Sequence, residues 1–240
     1  MPFSQINPIM GQAQQGYVNS VDTVQRGILG TTVTAVDNYF GLGEFVYVQF
    51  PASTAFTMGQ VVVLNGFGGS AGYTAAVAAN TANTGRSIYV IINPVASVAS
   101  VQYGWVMRSG NAVIKTTASV AAGTTFGIDV TTGGSVAANS AGRQVLNAVS
   151  IAPSTTTVVK TVTIQNGSPV FRAPNVDGYV PGLTLSGTGV SGTILSIDYD
   201  NRSVTMSANA TASGSSSVTA TYTGFIVGQI DRPTLQGAIT

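Results

Sequence analysis

Residues 44–50 read Glu-Phe-Val-Tyr-Val-Gln-Phe. In an extended chain successive side chains point to opposite faces. Phe45 and Tyr47 therefore share one face, and Val46, Val48 and Phe50 share the other. A strand apolar on both faces is covered on both, so this stretch is expected deep in a layered β-fold. Downstream, Val101, Tyr103, Trp105 and Met107 alternate with Gln102, Gly104, Val106 and Arg108. That period of two predicts a half-buried strand. Ser109-Gly110-Asn111 reads as a tight turn, with Ala112–Lys115 returning as the hairpin partner.

The same signals recur on either side. Thr31–Val36, Gln60–Leu64, Ser87–Ile92, Phe126–Val130 and Val145–Ser150 are further strand candidates, with turns roughly every ten residues. Alanine-rich Ala75–Ala79 leaves room for one short helix. From residue 162 the text becomes small and polar. Leu183 and Leu185 follow Pro181-Gly182. Leu195, Ile197 and Tyr199 alternate with Ser196, Asp198 and Asp200, Asp200-Asn201 turns, and Val204, Met206 and Ala208 return. Val218, Ala220 and Tyr222 alternate with threonines.

The expected class is all-β: a β-barrel or sandwich main domain over 31–161, a small antiparallel β-domain over 162–223, and a return strand with tail over 224–240. Phe225–Ile230 is apolar enough for the main core, which favours the small domain as an insertion over two sequential domains. Residues 1–30 read as an extended arm, because Pro2 and Pro8 obstruct a helix and Gly11, Gly16, Gly27 and Gly30 punctuate the rest of the stretch. A frayed terminus gains nothing from apolar residues. Phe3, Ile6, Ile9 and Met10 are therefore the candidate contacts to another subunit.

Composition narrows function. Charged residues are 7% of the chain, against about 25% in ordinary soluble domains. The formal net charge is +1, and the only lysines, Lys115 and Lys160, lie far apart, so no cationic face for nucleic acid is visible. A nearly uncharged surface is weakly protected against association, which points toward life in an assembly. There is no Cys and no His, and Glu44 is the only Glu. Thiol catalysis, a Ser-His-Asp triad and Cys or His metal sites are excluded. We expect no enzymatic activity, no catalytic residues, no cofactor and no metal. No membrane segment is expected either: the most apolar stretch, Ile88–Val101, is interrupted by Asn93, Pro94, Ser97 and Ser100. The opening MPFSQINPIMGQ lacks the basic and apolar regions of a secretory signal, so synthesis in the cytoplasm is the expectation.

Three patterns imitate chemistry. Asp198 and Asp200 could pair as carboxylates on one strand face, but they flank an Asp-Asn turn, where Asp has its own conformational reason to sit. Gly187-Thr188-Gly189-Val190-Ser191-Gly192 matches a dinucleotide fingerprint, yet the following TILSIDY alternates as a strand where a helix is required. Tyr103 and Trp105 share a face on which a sugar or base could stack, although core packing is the commoner use. Gly66-Phe67-Gly68-Gly69 reads as a turn, and Tyr17, Tyr39, Phe40 and Phe67 as loop anchors or subunit contacts.

Residues 103–150 carry YGWV at 103–106, Gly110, VAAG at 120–123, TTGG at 131–134 and Gly142. This rhythm resembles the β-barrel of head-decoration (capsid cement) proteins of tailed bacteriophages. Residues 181–215 resemble a small β-module that recurs in phage virion proteins and adhesins, and RPTLQGAIT at 232–240 is similar to the tail of decoration proteins. The resemblance implies a structural virion protein on the capsid exterior. It would bind the major capsid protein, associate with itself as a homotrimer, bridge capsid subunits and resist the pressure of packaged DNA. The alternative is a tail-associated or receptor-binding adhesin whose residues 162–223 contact host surface glycans. A tail-tube or minor shell protein is a third reading.

Overall fold

The computed structural model describes residues 3–5, 21–37, 41–66 and 72–238. The fold is all-β, with seventeen strands and no helix among the described residues. The chain divides into two compact units: Ser154–Thr223, and Pro2–Pro153 together with Gly224–Thr240.

The main unit contains β1 (Phe3–Gln5), β2 (Thr32–Asp37), β3 (Gly41–Phe50), β4 (Val61–Asn65), β5 (Thr74–Val77), β6 (Tyr89–Ile91), β7 (Gln102–Lys115), β8 (Phe126–Ile128), β9 (Val136–Ala138) and β10 (Val145–Ala152). A late strand, β17 (Phe225–Leu235), completes it. One sheet runs β1-β2-β3-β5-β4-β6-β7-β17-β10, and a further pairing of β3 with β7 closes β3-β5-β4-β6-β7 into a ring. All of these pairings are antiparallel except β3 with β5. The strands feed two buried clusters, one per face. Phe45, Tyr47, Val90, Trp105 and Met107 join one; Val46, Val48, Phe50, Ile91 and Val106 join the other. This is the two-sided burial that residues 44–50 predict, and it explains why these strands show no polar face.

Two local expectations are corrected. Residues 109–111 are not a turn: β7 runs through them without reversing. Its first half pairs with β3, and its second half pairs with β17, from Asp231↔Ser109 to Phe225↔Lys115. Glu44 faces Ser109 while Phe45 faces Met107, so Arg108 is an extra residue. Such a bulge changes which face later residues occupy. Trp105 and Met107 thus share their cluster with Ala112 and Ile114, although the numbering parity differs. Gly110 supplies the needed backbone at φ +118°, and a Cβ there would lie 2.7 Å from the Leu42 carbonyl oxygen. Residues 75–79 form no helix either; Thr74–Val77 is β5, paired with β4 from Val62↔Val77 to Asn65↔Thr74.

The smaller unit holds β11 (Thr157–Ile164), β12 (Val170–Arg172), β13 (Thr184–Gly187), β14 (Val190–Asp198), β15 (Ser203–Met206) and β16 (Gly214–Thr221). They close into a barrel in the order β11-β12-β15-β14-β13-β16. Phe171, Leu183, Leu185, Val204, Val218 and Ala220 are buried in it. Its chain boundary differs from the expected 162. β11 pairs with β16 along its whole length, from Thr157↔Thr221 to Ile164↔Gly214, so the unit begins at Ser154. A second bulge, between Ile194 and Ser196, buries Ile194 and leaves Leu195 outside at 56% exposure, so Leu195 is not an inward residue.

β10 and β17 are antiparallel neighbours, with Ala152 opposite Val227. The chain leaves the main unit at the end of one strand and re-enters at the start of the strand beside it. In chain order the smaller unit is therefore an insertion between β10 and β17.

Candidate docking surface

The arm is not extended through residue 30. Asp22 and Tyr103 exchange both backbone hydrogen bonds, at 2.9 and 2.7 Å. The Arg26 N–H donates to the Tyr47 hydroxyl at 2.9 Å, and the Gly30 N–H to the Tyr47 carbonyl at 2.8 Å. Backbone pairing of this kind fixes a segment that a sequence pattern leaves looking loose. Of the four candidate contacts, Phe3 lies in β1, whose backbone pairs antiparallel with β2 (Phe3↔Asp37, Ser4↔Val36, Gln5↔Ala35). Ile6, Ile9 and Met10 lie outside the described residues, as do Tyr17, Tyr39, Phe40 and the Phe67-Gly68-Gly69 turn.

Apolar side chains are exposed on the pinned segment and beside it. Val24 is 58% and Ile28 68% exposed. Tyr73, 45% exposed, lays its ring on Gly30, where a Cβ would come within 2.3 Å of it. Leu42, at the start of β3, is 58% exposed. In a chain this poor in charge, exposed apolar residues offer a surface suited to a protein partner.

The smaller unit presents a different surface. The outward residues of β11, β16, β13 and β14 line up in rows: Thr157, Thr221, Thr184 and Thr193, then Val159, Thr219, Ser186 and Ser191. Thr161 with Ser217 and Thr163 with Ser215 extend the first two strands. No charged residue interrupts these rows, and Val159 is the single apolar member.

Several ionisable groups have defined partners within the fold. Buried Asp129 accepts from the Thr117 hydroxyl at 2.6 Å, from the Thr131 hydroxyl at 2.6 Å, and from the Thr131 and Thr132 N–H groups at 2.7 and 2.6 Å. The two hydroxyl donors, then the two N–H groups, hold its carboxyl well below the usual aspartate range against the opposing effect of burial. Asp198 accepts from the Asn201 N–H and side-chain amide, at 3.0 and 2.7 Å, which lowers its pKa and assigns it to the turn. Arg232 donates twice to Glu44, at 3.2 and 2.8 Å, across 188 residues of sequence. Among the described residues no three His, Cys, Asp or Glu side chains gather as a metal site.

The remaining mimics resolve structurally. Gly187–Gly192 is the β13–β14 hairpin, with Gly187 opposite Val190. A Cβ on Gly187 would lie 2.6 Å from the Ser217 carbonyl oxygen, so that glycine serves strand packing. Trp105 is buried with its ring 5.1 Å from that of Tyr47, a core pair and not a stacking platform. Sequence reasoning missed Asp129 and the Glu44–Arg232 pair, because their partners are set by strand register and no local motif announces them. The chain matches no protein-family model, no curated protein and no solved structure.

Proposed function

We propose that this is a structural, non-enzymatic virion protein that binds the outer surface of a phage capsid and stabilises the shell by bridging subunits of the major capsid protein. The observation that carries the reading is a strand near the N-terminus, Phe3–Gln5, paired with β2 at the margin of the sheet, in a unit that also exposes the apolar residues Val24, Ile28 and Leu42. Strand addition gives affinity through main-chain hydrogen bonds and needs no titratable group. A docking contact of standard size buries on the order of 1,600 Å², and a homotrimer attached at several points multiplies a modest affinity. The resemblance of residues 103–150 and 232–240 to decoration proteins supports the same reading. The weak charge suits a place outside the shell, away from DNA.

Copy number in purified virions tests it. A decoration protein approaches the abundance of the major capsid protein; tail-like abundance, or absence from the particle, overturns the proposal. Within it, deleting residues 1–15 is expected to weaken capsid attachment more than replacing 154–223 with a short Gly/Ser linker. Equal loss from two folded variants removes the arm from the docking role.

The uncharged hydroxyl rows favour one alternative: a tail-associated or receptor-binding adhesin whose small barrel meets neutral host glycans. Tail-level copy number together with glycan binding by the purified protein selects that alternative.

A further inference from the structure

Three neighbouring strands of the small barrel, β12, β15 and β14, carry an outer surface unlike the hydroxyl rows. Register aligns their residues across the barrel wall. Val170, Thr205 and Ser196 form one row, and Arg172, Ser203 and Asp198 form another. Between the rows Phe171 and Val204 are fully buried, so both rows face outward. Leu195 joins the first row through the bulge. Ile194 is opposite Met206 and Ser196 is opposite Thr205, which leaves Leu195 as the extra residue. Bulges re-aim side chains. This one presents a leucine at 56% exposure, across β15 from Val170 at 38%.

The same two sides of β15 carry opposite charges. Arg172, on β12, and Asp198, on β14, are both exposed. Strand spacing puts their Cα atoms about 10 Å apart. Within the chain the Asp198 carboxylate accepts from Asn201, twice. A carboxylate has about four acceptor positions, so this one is fixed in place and still has room for a guanidinium.

Such a surface is complementary to itself. A two-fold axis along β15, lying in the plane of contact with a second copy, exchanges the β12 side with the β14 side. Arg172 of each copy then meets Asp198 of the other, and Val170 of each meets Leu195 of the other. Ser203 and Thr205, on the axis, meet their own counterparts. Isologous contacts have this construction, and opposite charges across a contact fix its register. The hydroxyl rows on the other strands carry no charge and have no such pattern.

We propose that the β12–β15–β14 face of the small barrel pairs with the same face of a second copy of this chain, about a two-fold axis along β15. The face is small beside the roughly 1,200 Å² that a stable complex buries in total. The pairing is therefore weak in dilute solution and acts between copies that other contacts hold close. It does not rest on capsid attachment, and its test needs no virion.

Arg172→Glu and Asp198→Arg are made in separate full-length chains. Alone, each variant sets like charges against each other at both ends of the contact. Mixed, one copy of each restores opposite charges at both ends. Association is read by sedimentation with one chain fluorescently labelled, in mixed and unmixed samples. The mixed sample is expected to associate ~10-fold more tightly than either variant alone. Association through any other interface is equal in all three samples. The chain has no cysteine, so a thiol gives a second measurement that leaves the Asp198 turn intact. Thr205→Cys, on the axis, should be joined to its own counterpart by a short bis-maleimide. The yield should be ~10-fold above that of Thr219→Cys, which is half-buried like Thr205 but lies on the hydroxyl face. Mixing that brings no tightening of two folded variants overturns the proposal. So do equal crosslinking yields from the two thiols.

Discussion

The two units solve the same problem with opposite uses of sequence. In the small barrel every strand has one face toward the core and one toward solvent. Val218 and Ala220 are buried while Thr219 and Thr221 look out. In the main unit the strands of the ring are covered on both sides, and residues 45 to 48 are all buried. A closed barrel has no open edge to protect, so the small unit tolerates an outer surface of Thr and Ser. The main unit keeps β1 and β2 at a sheet margin. The difference separates a closed barrel with a polar outside from a sheet whose central strands are buried on both faces.

The largest effect expected is on the independence of the small barrel. Phe171 is fully buried and packs edge-on against Tyr179, their ring centres 6.1 Å apart. Phe171→Ala should cost about 3–5 kcal/mol, much of the roughly 5–15 kcal/mol available to a domain. Proteolysis and hydrogen exchange should show residues 154–223 opening while the main unit stays protected. Simultaneous loss of both would break the comparison.

Next comes the bulge. Gly110→Val meets a left-handed backbone and a carbonyl oxygen together, so it should destabilise the main unit by about 3 kcal/mol or more. Gly123, at φ +75° with nothing within 4 Å of a Cβ, gives the contrast: Gly123→Ala should cost about 1–2 kcal/mol. Urea midpoints of the two variants give the ranking, and equal values would remove the special role of the bulge.

Asp129→Asn should cost about 1.5–3 kcal/mol, the range for hydrogen bonds to a charged acceptor. It should also change the pH response. The folded carboxyl is held below its unfolded pKa. Its contribution is therefore complete above the ordinary aspartate range, about pH 4, and is lost as pH falls from there toward the folded value. Wild-type urea midpoints should decline below about pH 4 more steeply than those of Asp129→Asn. Parallel declines would sink this assignment. The smallest effect belongs to Glu44→Gln: the side chains of Arg232 and Glu44 are 59% and 27% exposed, so the melting shift should be slight and should vanish in high salt.

Legibility followed the same division. Leu183, Leu185, Val204, Met206 and Val218 were readable as inward residues, because alternation is a local property and the barrel has a polar outside. Leu195 was misread because a bulge shifts the period within one strand. Residues 109–111 were misread as a turn because Ser-Gly-Asn signals a positive-φ glycine equally for a turn and a bulge; the partner strands on both edges of β7 chose the second. At the docking surface, Phe3 was legible as apolar. Nothing in Phe3-Ser4-Gln5 revealed a strand, since three residues carry too little pattern and the partner edge lies some thirty residues away.

The sequence alone determined the all-β class, the two-sided burial of residues 44–50, and the scarcity of groups with which to do chemistry; each follows from composition or from a period of two. Tertiary structure decided where β11 belongs, that the small barrel closes, and that Asp129 is satisfied. Strand pairing joins residues far apart in the chain, and its register follows from the packing of the whole sheet, so no local window contains it.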